Sequence, residues 1–278
     1  MLKFSVAMCV YIKDNPVWFD EALESVVNQT AKPDEIVVVA DGPLTDELNA
    51  VIEKYLQYNL KPIYLPENKG QGEARRISLE NCSYPLVAIM DADDICVPTR
   101  FAQQLQCFEE DDSLTIVGGN IDEFIHQPTN IVSSRIVPSE DNAIKEYMKK
   151  RCPFNQVSVM FKLESVQQVG GYIDWFWEED YYLWIRLYLA GATFKNIPSV
   201  LVNVRVGEDM YRRRGGLKYY RSEKRLQKFM LKSKIIGFGT YFMNCTKRFI
   251  VQVLMPNKLR GWVFKKFART KVKKDEKV

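Results

Sequence analysis

The stretch Pro85-Leu86-Val87-Ala88-Ile89-Met90-Asp91-Ala92-Asp93-Asp94 joins a short apolar run to three carboxylates. The apolar part is long enough for one buried strand. Carboxylates this close together repel one another unless a positive charge lies among them. Mg2+ and Mn2+ prefer oxygen ligands and are typically held by one or two carboxylates, water and substrate phosphates. The stretch therefore predicts a metal-diphosphate site at a strand's carboxyl end, where open α/β sheets bind ligands. A solvated turn with an acidic helix cap is the alternative.

Length and composition predict a folded α/β protein. The chain has 278 residues, of which 46% are hydrophobic and 27% are charged, so it can bury a full core. Its six cysteines are scattered without paired metal-binding spacing, which predicts reduced thiols in a cytosolic protein. Lys3 is the only charge before the apolar run that opens the chain, and no small-residue cleavage site follows. We therefore expect no signal peptide.

The net charge of +4 conceals a sharp division along the chain. Residues 1–211 contain 18 basic and 32 acidic residues, a net charge of −14, whereas residues 212–278 contain 21 and 3, a net charge of +18. Nucleic acid or an anionic membrane surface would attract such a tail. A tail that is merely solvated is the third possibility.

Strand and helix patterns alternate through the first part of the chain. Apolar runs at 4–11, 35–40 and 61–65 predict buried strands, and helical periodicity marks 17–28, 45–57 and 73–81. Helices of this length between strands imply parallel neighbours. We expect an α/β fold with a mostly parallel, Rossmann-like sheet flanked by helices on both faces.

A glycine-containing loop, Gly70-Gln71-Gly72, precedes the third predicted helix. Its backbone N–H groups are suited to holding a phosphate, with help from the helix dipole and from Arg75 or Arg76. A simple strand-to-helix turn is the alternative. The loop lacks the third glycine of a dinucleotide site and the Gly-Lys-Ser/Thr ending of a P-loop, which argues against both classes of enzyme.

A second acidic group, Glu178-Glu179-Asp180, follows Trp175-Phe176-Trp177 and begins an amphipathic helix. Acids at this position are favoured by the helix dipole for structural reasons alone. The aromatic neighbours add a second interpretation, because they can form the dry wall of a pocket and stack on a carbohydrate ring. Desolvation in such a pocket raises the pKa of a carboxyl group and suits it to general-base catalysis.

Taken in order, several motifs resemble those of glycosyltransferase family 2. The resemblance runs from about residue 3 to residue 230. Its motifs are Val10-Tyr11-Ile12-Lys13-Asp14-Asn15, Asn28-Gln29-Thr30, Asp41-Gly42, Asn68-Lys69-Gly70, Asp91-Ala92-Asp93-Asp94 and Glu179-Asp180. Other segments look like the bacterial exopolysaccharide and O-antigen transferases of the amylovoran type, such as Arg151-Cys152-Pro153-Phe154-Asn155 and Arg205-Val206-Gly207-Glu208-Asp209-Met210-Tyr211.

This resemblance implies a GT-A fold and a division of the chain. Residues 1–230 would form the glycosyltransferase domain, with a nucleotide-sugar half at 1–100 and an acceptor and catalytic half at 101–230. Residues 231–278 would form a basic amphipathic C-terminal extension. Apolar runs in that extension are too short to span a bilayer and are interleaved with basic residues, which is typical of segments that lie on membranes.

The resemblance also implies roles for individual residues. Asp180 matches the general base, Glu179 would position the acceptor or Asp180, and Asp93 would bind Mn2+ or Mg2+. The residues implied to contact the nucleotide sugar are Ala7, Tyr11, Asp41, Arg75, Asp91, Arg212 and Arg213. Of these, Asp41 would accept a hydrogen bond from the uracil ring, Asp91 would face the ribose, and Arg212 and Arg213 would lie near the diphosphate.

The function implied is inverting transfer of a hexose or N-acetylhexosamine from a UDP-sugar to a polyprenyl-diphosphate-linked saccharide during surface polysaccharide synthesis. Such an enzyme would work in the cytoplasm, peripheral to the inner face of the cytoplasmic membrane, and would bind no nucleic acid. Two alternatives are a nucleotidyltransferase, which also binds metal through paired Asp residues, and a nucleic-acid-binding protein led by the basic tail. The first would not need Glu179-Asp180, and the second leaves both acidic groups unexplained.

Overall fold

The computed structural model describes residues 2–207, 215–256 and 259–260. Its first part alternates strands and helices as the sequence predicts, with bounds that differ from the expected ones by two residues or fewer. The four strands lie in the order β3-β2-β1-β4, and all their pairings are parallel. The elements are β1 (Phe4–Val10), α1 (Pro16–Val27), β2 (Glu35–Ala40), α2 (Asp46–Tyr55), β3 (Leu60–Tyr64), α3 (Gln71–Glu80) and β4 (Leu86–Asp91).

Local sequence explains why the first helix begins where it does. The Asn15 side chain accepts the backbone N–H of Val17 over 2.9 Å, and Pro16 occupies the first helical position. Asparagine satisfies an N–H group that lacks a helical partner, and proline has no N–H to lose there. The chain therefore leaves β1 and turns into α1 within a few residues.

The second part extends the sheet as β4-β8-β6-β9-β5, with β7 paired to β6. Strand β8 is antiparallel to both β4 and β6, whereas β6 and β9 are parallel, so this part is mixed. The α/β fold is confirmed, with the parallel order confined to the first four strands and the β6–β9 pair. The elements are β5 (Ile95–Cys96), α4 (Arg100–Glu110), β6 (Leu114–Phe124), β7 (Ile131–Arg135), α5 (Asp141–Met148), β8 (Met160–Lys162), α6 (Leu163–Gln168), α7 (Glu179–Leu189) and β9 (Thr193–Arg205).

Helices cover both faces of the sheet, and each face has its own core. Side chains of α1, α2 and α4 pack on one face, and side chains of α3, α5, α6 and α7 pack on the other. Alternation along β1 shows the division, because Val6 and Met8 belong to the first core and Ala7 to the second. The carboxyl ends of β1, β2 and β4 therefore meet at one edge between two packed layers.

Two helices in the described range 215–256 pack on the second core. They are α8 (Leu217–Lys232) and α9 (Phe238–Phe249), and a π-helix (Ile250–Leu254) continues α9. Leu226 and Met230 of α8, and Ile235 after it, are buried in that core. The predicted domain boundary after residue 230 lies inside α8 and stays a prediction. None of the helices in the described part of the chain is long and apolar enough to cross a membrane.

Candidate active site

Arg75 connects the two acidic groups that the sequence analysis identified. It lies in α3, and its side chain is only 8% exposed. One guanidinium nitrogen donates to Asp91 Oδ1 over 3.1 Å, and the other donates to Glu179 Oε1 over 3.1 Å. Asp91 ends β4 and Glu179 begins α7. A single buried arginine thus holds the end of the central strand beside the start of the second acidic helix.

The carboxylates after β4 lie in different environments. Asp91 is partly exposed and Asp93 is exposed, whereas Asp94 is buried and accepts the backbone N–H of Arg205 over 2.8 Å. Burial, followed by the negative charges of Asp93 and Asp91, raises the pKa of Asp94 well above its ordinary value. Burial is also the main reason that the pKa of Asp14 rises to about 7. The edge therefore brings four carboxyl groups close enough to influence one another, those of Asp14, Asp91, Asp93 and Asp94.

This arrangement fits a divalent cation that is shared with a ligand. In the described part of the chain, no three His, Cys, Asp or Glu side chains are gathered into a complete metal-binding group. Mg2+ and Mn2+ need no such group when phosphate oxygens and water supply most of the ligands. Asp93, with Asp91 beside it, offers the hard oxygen donors that such an ion requires.

Asp41 organises the loop between β3 and α3. Its two carboxylate oxygens accept the backbone N–H groups of Lys69 over 2.7 Å and Gly70 over 3.0 Å, and the side chain is buried. Gly70 has φ of 89°, a conformation that favours glycine. Asp41 therefore holds the glycine-containing loop against the carboxyl end of β2, next to the start of α3.

The other predicted nucleotide contacts differ in how exposed they are. Tyr11 is 39% exposed and follows β1 at the same edge, whereas Ala7 is 2% exposed and packs inside the second core. The structure does not bring the Ala7 side chain to the surface of the site, because alternation along β1 turns it toward α3. Arg212 and Arg213 lie outside the described residues.

A cavity of about 910 Å3 lies at the beginning of α7. Asp180, Glu179 and Arg75 line it, as do Gln71 and Gly72 from the start of α3. The predicted aromatic wall is present, because Trp175, Phe176 and Trp177 all line the cavity. Trp184, a further tryptophan close to the second acidic group in the sequence, does not line the cavity, because it is fully buried in the second core. The cavity therefore reaches from the glycine-containing loop to the second acidic group.

Asp180 lies at the start of α7 and lines the cavity. Burial raises its pKa, and the positive charges of Arg75 and Arg135 oppose that shift. Its Oδ1 accepts the backbone N–H of Tyr181 over 2.6 Å at the N-terminus of α7. The same burial raises the pKa of Glu179, with the charge of Asp180 as the next cause.

Glu178 is a cavity residue that the sequence analysis did not single out. It is 4% exposed, and burial raises its pKa to about 8, with the nearby charge of Asp180 as the next cause. Arg248 of α9 and Tyr219 of α8 partly offset that shift. The only signal in the sequence was its place in the Glu178-Glu179-Asp180 run, since its later partners lie far along the chain.

Comparison with known families identifies the kind of protein that carries this site. The model of the family described as "Glycosyl transferase family 2" matches residues 5–165, and that of "Glycosyl transferase family group 2" matches residues 86–260. The first match covers more than half of the chain. This chain belongs to glycosyltransferase family 2.

Two curated relatives of this glycosyltransferase match over almost their whole length. One, from Escherichia coli, is a UDP-Gal:alpha-D-GlcNAc-diphosphoundecaprenol beta-1,3-galactosyltransferase, 37% identical, with 96% of this chain and 97% of that protein covered. The other is the amylovoran biosynthesis glycosyltransferase AmsE of Erwinia amylovora, 36% identical, with 95% of this chain and 98% of that protein covered. The predicted resemblance to amylovoran-type and O-antigen-type transferases is confirmed.

Solved structures confirm the GT-A fold of this glycosyltransferase. S. aureus TarS 1-349 in complex with UDP-GlcNAc has a TM-score of 0.65 at 18% identity, with 90% of this chain and 73% of that chain covered. The mannosyltransferase PcManGT from Pyrobaculum calidifontis, in complex with GDP-Man and Mn2+, has a TM-score of 0.62 at 16% identity, with 93% and 71% covered. At these identities the likeness concerns the fold alone.

Proposed function

We propose that this glycosyltransferase transfers a hexose or N-acetylhexosamine from a UDP-sugar to a lipid-linked saccharide, with inversion and with a divalent metal ion. The observation that carries the proposal is the pair of hydrogen bonds from Arg75 to Asp91 and Glu179, at 3.1 Å each. This pair joins the strand edge where α/β sheets bind nucleotides to the helix that carries the candidate base. Donor and acceptor groups would thereby meet at Arg75.

Asp180 is the proposed general base. It would take the proton of an acceptor hydroxyl as that oxygen forms a bond to the anomeric carbon, while the bond from that carbon to the diphosphate oxygen breaks. The electron pair of the broken bond leaves with UDP. A single displacement with one base inverts the anomeric configuration. Burial supports this role, because it raises the pKa of Asp180 toward the working pH.

The donor would lie along the carboxyl edge of the parallel strands. Tyr11, Asp41, Asp91 and the arginines Arg212 and Arg213 are the proposed contacts of the UDP-sugar, and Asp93 is the proposed metal ligand. A Mn2+ or Mg2+ ion at Asp93 would neutralise charge on the departing diphosphate. Support comes from the concentration of carboxylates at this edge, where burial and like charge raise the pKa of Asp94.

The acceptor proposal draws on relatives and on α9. The name of the Escherichia coli relative specifies a GlcNAc-diphosphoundecaprenol acceptor. The structure exposes an apolar α9 surface, made of Phe238, Phe242, Met243, Ile250 and Leu254. We infer that this surface and the basic residues around it hold the enzyme peripherally on the cytoplasmic face of the membrane, where a lipid-linked acceptor lies. Nucleic acid is not an expected partner.

A donor panel tests the proposed function. Purified protein is incubated with each UDP-sugar, Mn2+ or Mg2+ and a synthetic GlcNAc-diphosphate-lipid, and transfer is followed by mass. We expect transfer from one donor, with the opposite anomeric configuration in the product by NMR. The Asp180→Asn variant is the matched control, because it should bind UDP with Mn2+ as the wild type does and transfer at least about 100-fold more slowly. Absence of both transfer and UDP binding would contradict the proposal.

A further inference from the structure

Two lysines from separate elements line the cavity beside α7. Lys150 follows α5 and Lys247 lies in α9, and both line the cavity. Two hydrogen bonds hold these elements together. The Asn244 side chain donates to the Lys149 carbonyl over 2.9 Å, and Arg248 donates to the Lys150 carbonyl over 3.0 Å. The pairing of α9 with the end of α5 therefore fixes the backbones that carry both lysines.

These lysines differ from three of the arginines that line the same cavity, Arg75, Arg135 and Arg248. Arg75 forms ion pairs with Asp91 and Glu179, and Arg248 is paired with Glu223. Arg135 donates to the carbonyls of Phe154 and Cys152. Within the described residues, neither Lys150 nor Lys247 forms an ion pair, and both are exposed. Two positive charges are thus available to a ligand that enters the cavity.

Lys247 also borders the apolar α9 surface. Met243 lies four residues before it and Ile250 three residues after it, so the three side chains share one face of the helix. Met243 is 53% exposed and Ile250 is 46% exposed. Leu254, in the π-helix that continues α9, extends this surface. The lysine therefore stands between a polar cavity that contains the candidate base and a surface suited to lipid.

We propose that Lys150 and Lys247 bind the diphosphate of a lipid-linked saccharide acceptor. The saccharide would enter the cavity toward Asp180, and the hydrocarbon chain would follow the apolar α9 surface. Lysine ammonium groups suit phosphate oxygens as point charges and donate up to three hydrogen bonds each. This inference rests on the proposed function and adds the acceptor contacts to it.

The donor's diphosphate is the other possible source of such a ligand. Asp91 and Asp93, the proposed donor-side carboxylates, do not line the cavity that the two lysines line. The cavity instead contains the three acids that begin α7, which belong to the acceptor half of the site. Charge and position together therefore favour the acceptor's diphosphate over the donor's.

Kinetics of single-lysine variants distinguish the two sources. The full-length wild type, Lys150→Ala, Lys247→Ala and the double variant are compared with Lys32→Ala, an exposed lysine before β2 at the opposite sheet edge. We expect each cavity substitution to raise the KM for a GlcNAc-diphosphate-lipid about tenfold, the effect of one charged hydrogen bond. The KM for the UDP-sugar and the Kd of UDP with Mn2+ should not change, and Lys32→Ala should behave as the wild type.

A binding measurement tests the site without relying on transfer. Farnesyl diphosphate and farnesol are titrated into protein saturated with UDP and Mn2+. The wild type should prefer the diphosphate, and the double variant should lose that preference. An equal affinity of the wild type for the two lipids would overturn the proposal, as would a raised KM for the UDP-sugar in the lysine variants. Failure of the proposed function would look different, because the wild type would then bind no UDP.

Discussion

Arg75 Nη1 lies 3.1 Å from Glu179 Oε1, although the two residues are 104 positions apart in the sequence. Their side chains are 8% and 14% exposed, so the ion pair is largely shielded from water. The second nitrogen of the same guanidinium binds Asp91. Arginine suits this position because its rigid fork presents several donors at once, whereas a lysine ammonium acts as a single point charge.

Arg75→Lys should therefore lower kcat more than it lowers binding of UDP. The lysine keeps the positive charge, but it cannot hold Asp91 and Glu179 together, so α7 loses its fixed position relative to the donor edge. Misplacement of reacting groups by about 1 Å costs on the order of 100-fold in rate. Steady-state kinetics and UDP titration would measure the two effects.

Arg75→Ala should also destabilise the fold, because it leaves the largely shielded Glu179 carboxylate and the partly exposed Asp91 carboxylate without their partner. The expected loss is about 3–5 kcal/mol in the free energy of unfolding, measured by urea denaturation. Arg76→Ala is the matched control from the same helix, since Arg76 pairs with the exposed Glu73 and Glu80. Exposed pairs of this kind contribute under about 1 kcal/mol. Equal losses in the two variants would contradict a special role for Arg75.

Asp93→Asn and Asp180→Asn should both reduce transfer strongly, but for separable reasons. Loss of a general base costs roughly 100-fold to 10,000-fold in rate. Asp180→Asn should keep metal-dependent binding of UDP, whereas Asp93→Asn should weaken it. Titration of UDP with and without Mn2+, followed by thermal stabilisation, distinguishes them. Near-normal turnover of Asp180→Asn would show that another group is the base, and Glu178 would be the next candidate to substitute.

Much of this site could be predicted from the sequence because its parts are local. The β4 strand is a continuous apolar run that ends in Asp91, and such a run predicts a buried strand whose carboxyl end faces a ligand. The Glu179-Asp180 pair could likewise be placed at the start of a helix from the periodicity that follows it. In both cases the informative residues are neighbours in the sequence.

The contacts that complete the site could not be predicted in this way. The sequence predicts a role for Arg75 or Arg76 beside the glycine-containing loop, but it does not predict the hydrogen bonds of Arg75 to carboxylates 16 and 104 residues away. Lys247 and Lys150 line one cavity because α9 packs against the end of α5. Strand β8 is three residues long, too short for a periodic pattern to reveal its antiparallel pairing with β4. Each of these contacts depends on how elements distant in the sequence pack together, and no local sequence pattern encodes that packing.

Glu178 should make stability fall as pH rises through its raised pKa. Burial shifts the pKa from 4.5 to about 8, so between these values the folded protein holds a proton that the unfolded chain has released. The stabilisation is complete below pH 4.5, declines as the pH rises from there, and is fully lost above about pH 8. Glu178→Gln mimics the protonated form, so it should melt with the wild type at pH 5 and at a higher temperature than the wild type at pH 9.

Thermal melts at several pH values would check this expectation. Glu164→Gln provides a control, because Glu164 is an exposed glutamate at the start of α6 and its substitution should leave the pH dependence unchanged. A difference between Glu178→Gln and the wild type that stays constant from pH 5 to pH 9 would mean that Glu178 does not hold a proton in the folded protein.

The apolar α9 surface should determine how strongly the protein binds anionic membranes. Phe238, Phe242 and Leu254 are 71%, 63% and 62% exposed, so replacing all three by serine should not disturb the core. Burial of one large apolar side chain contributes about 1.5–3 kcal/mol, so even partial insertion of three should change the affinity by more than tenfold. Sedimentation with vesicles rich in anionic lipid would report this loss. Leu56→Ser, which changes an exposed leucine after α2, should sediment as the wild type does; equal loss in both proteins would mean that α9 does not face the membrane.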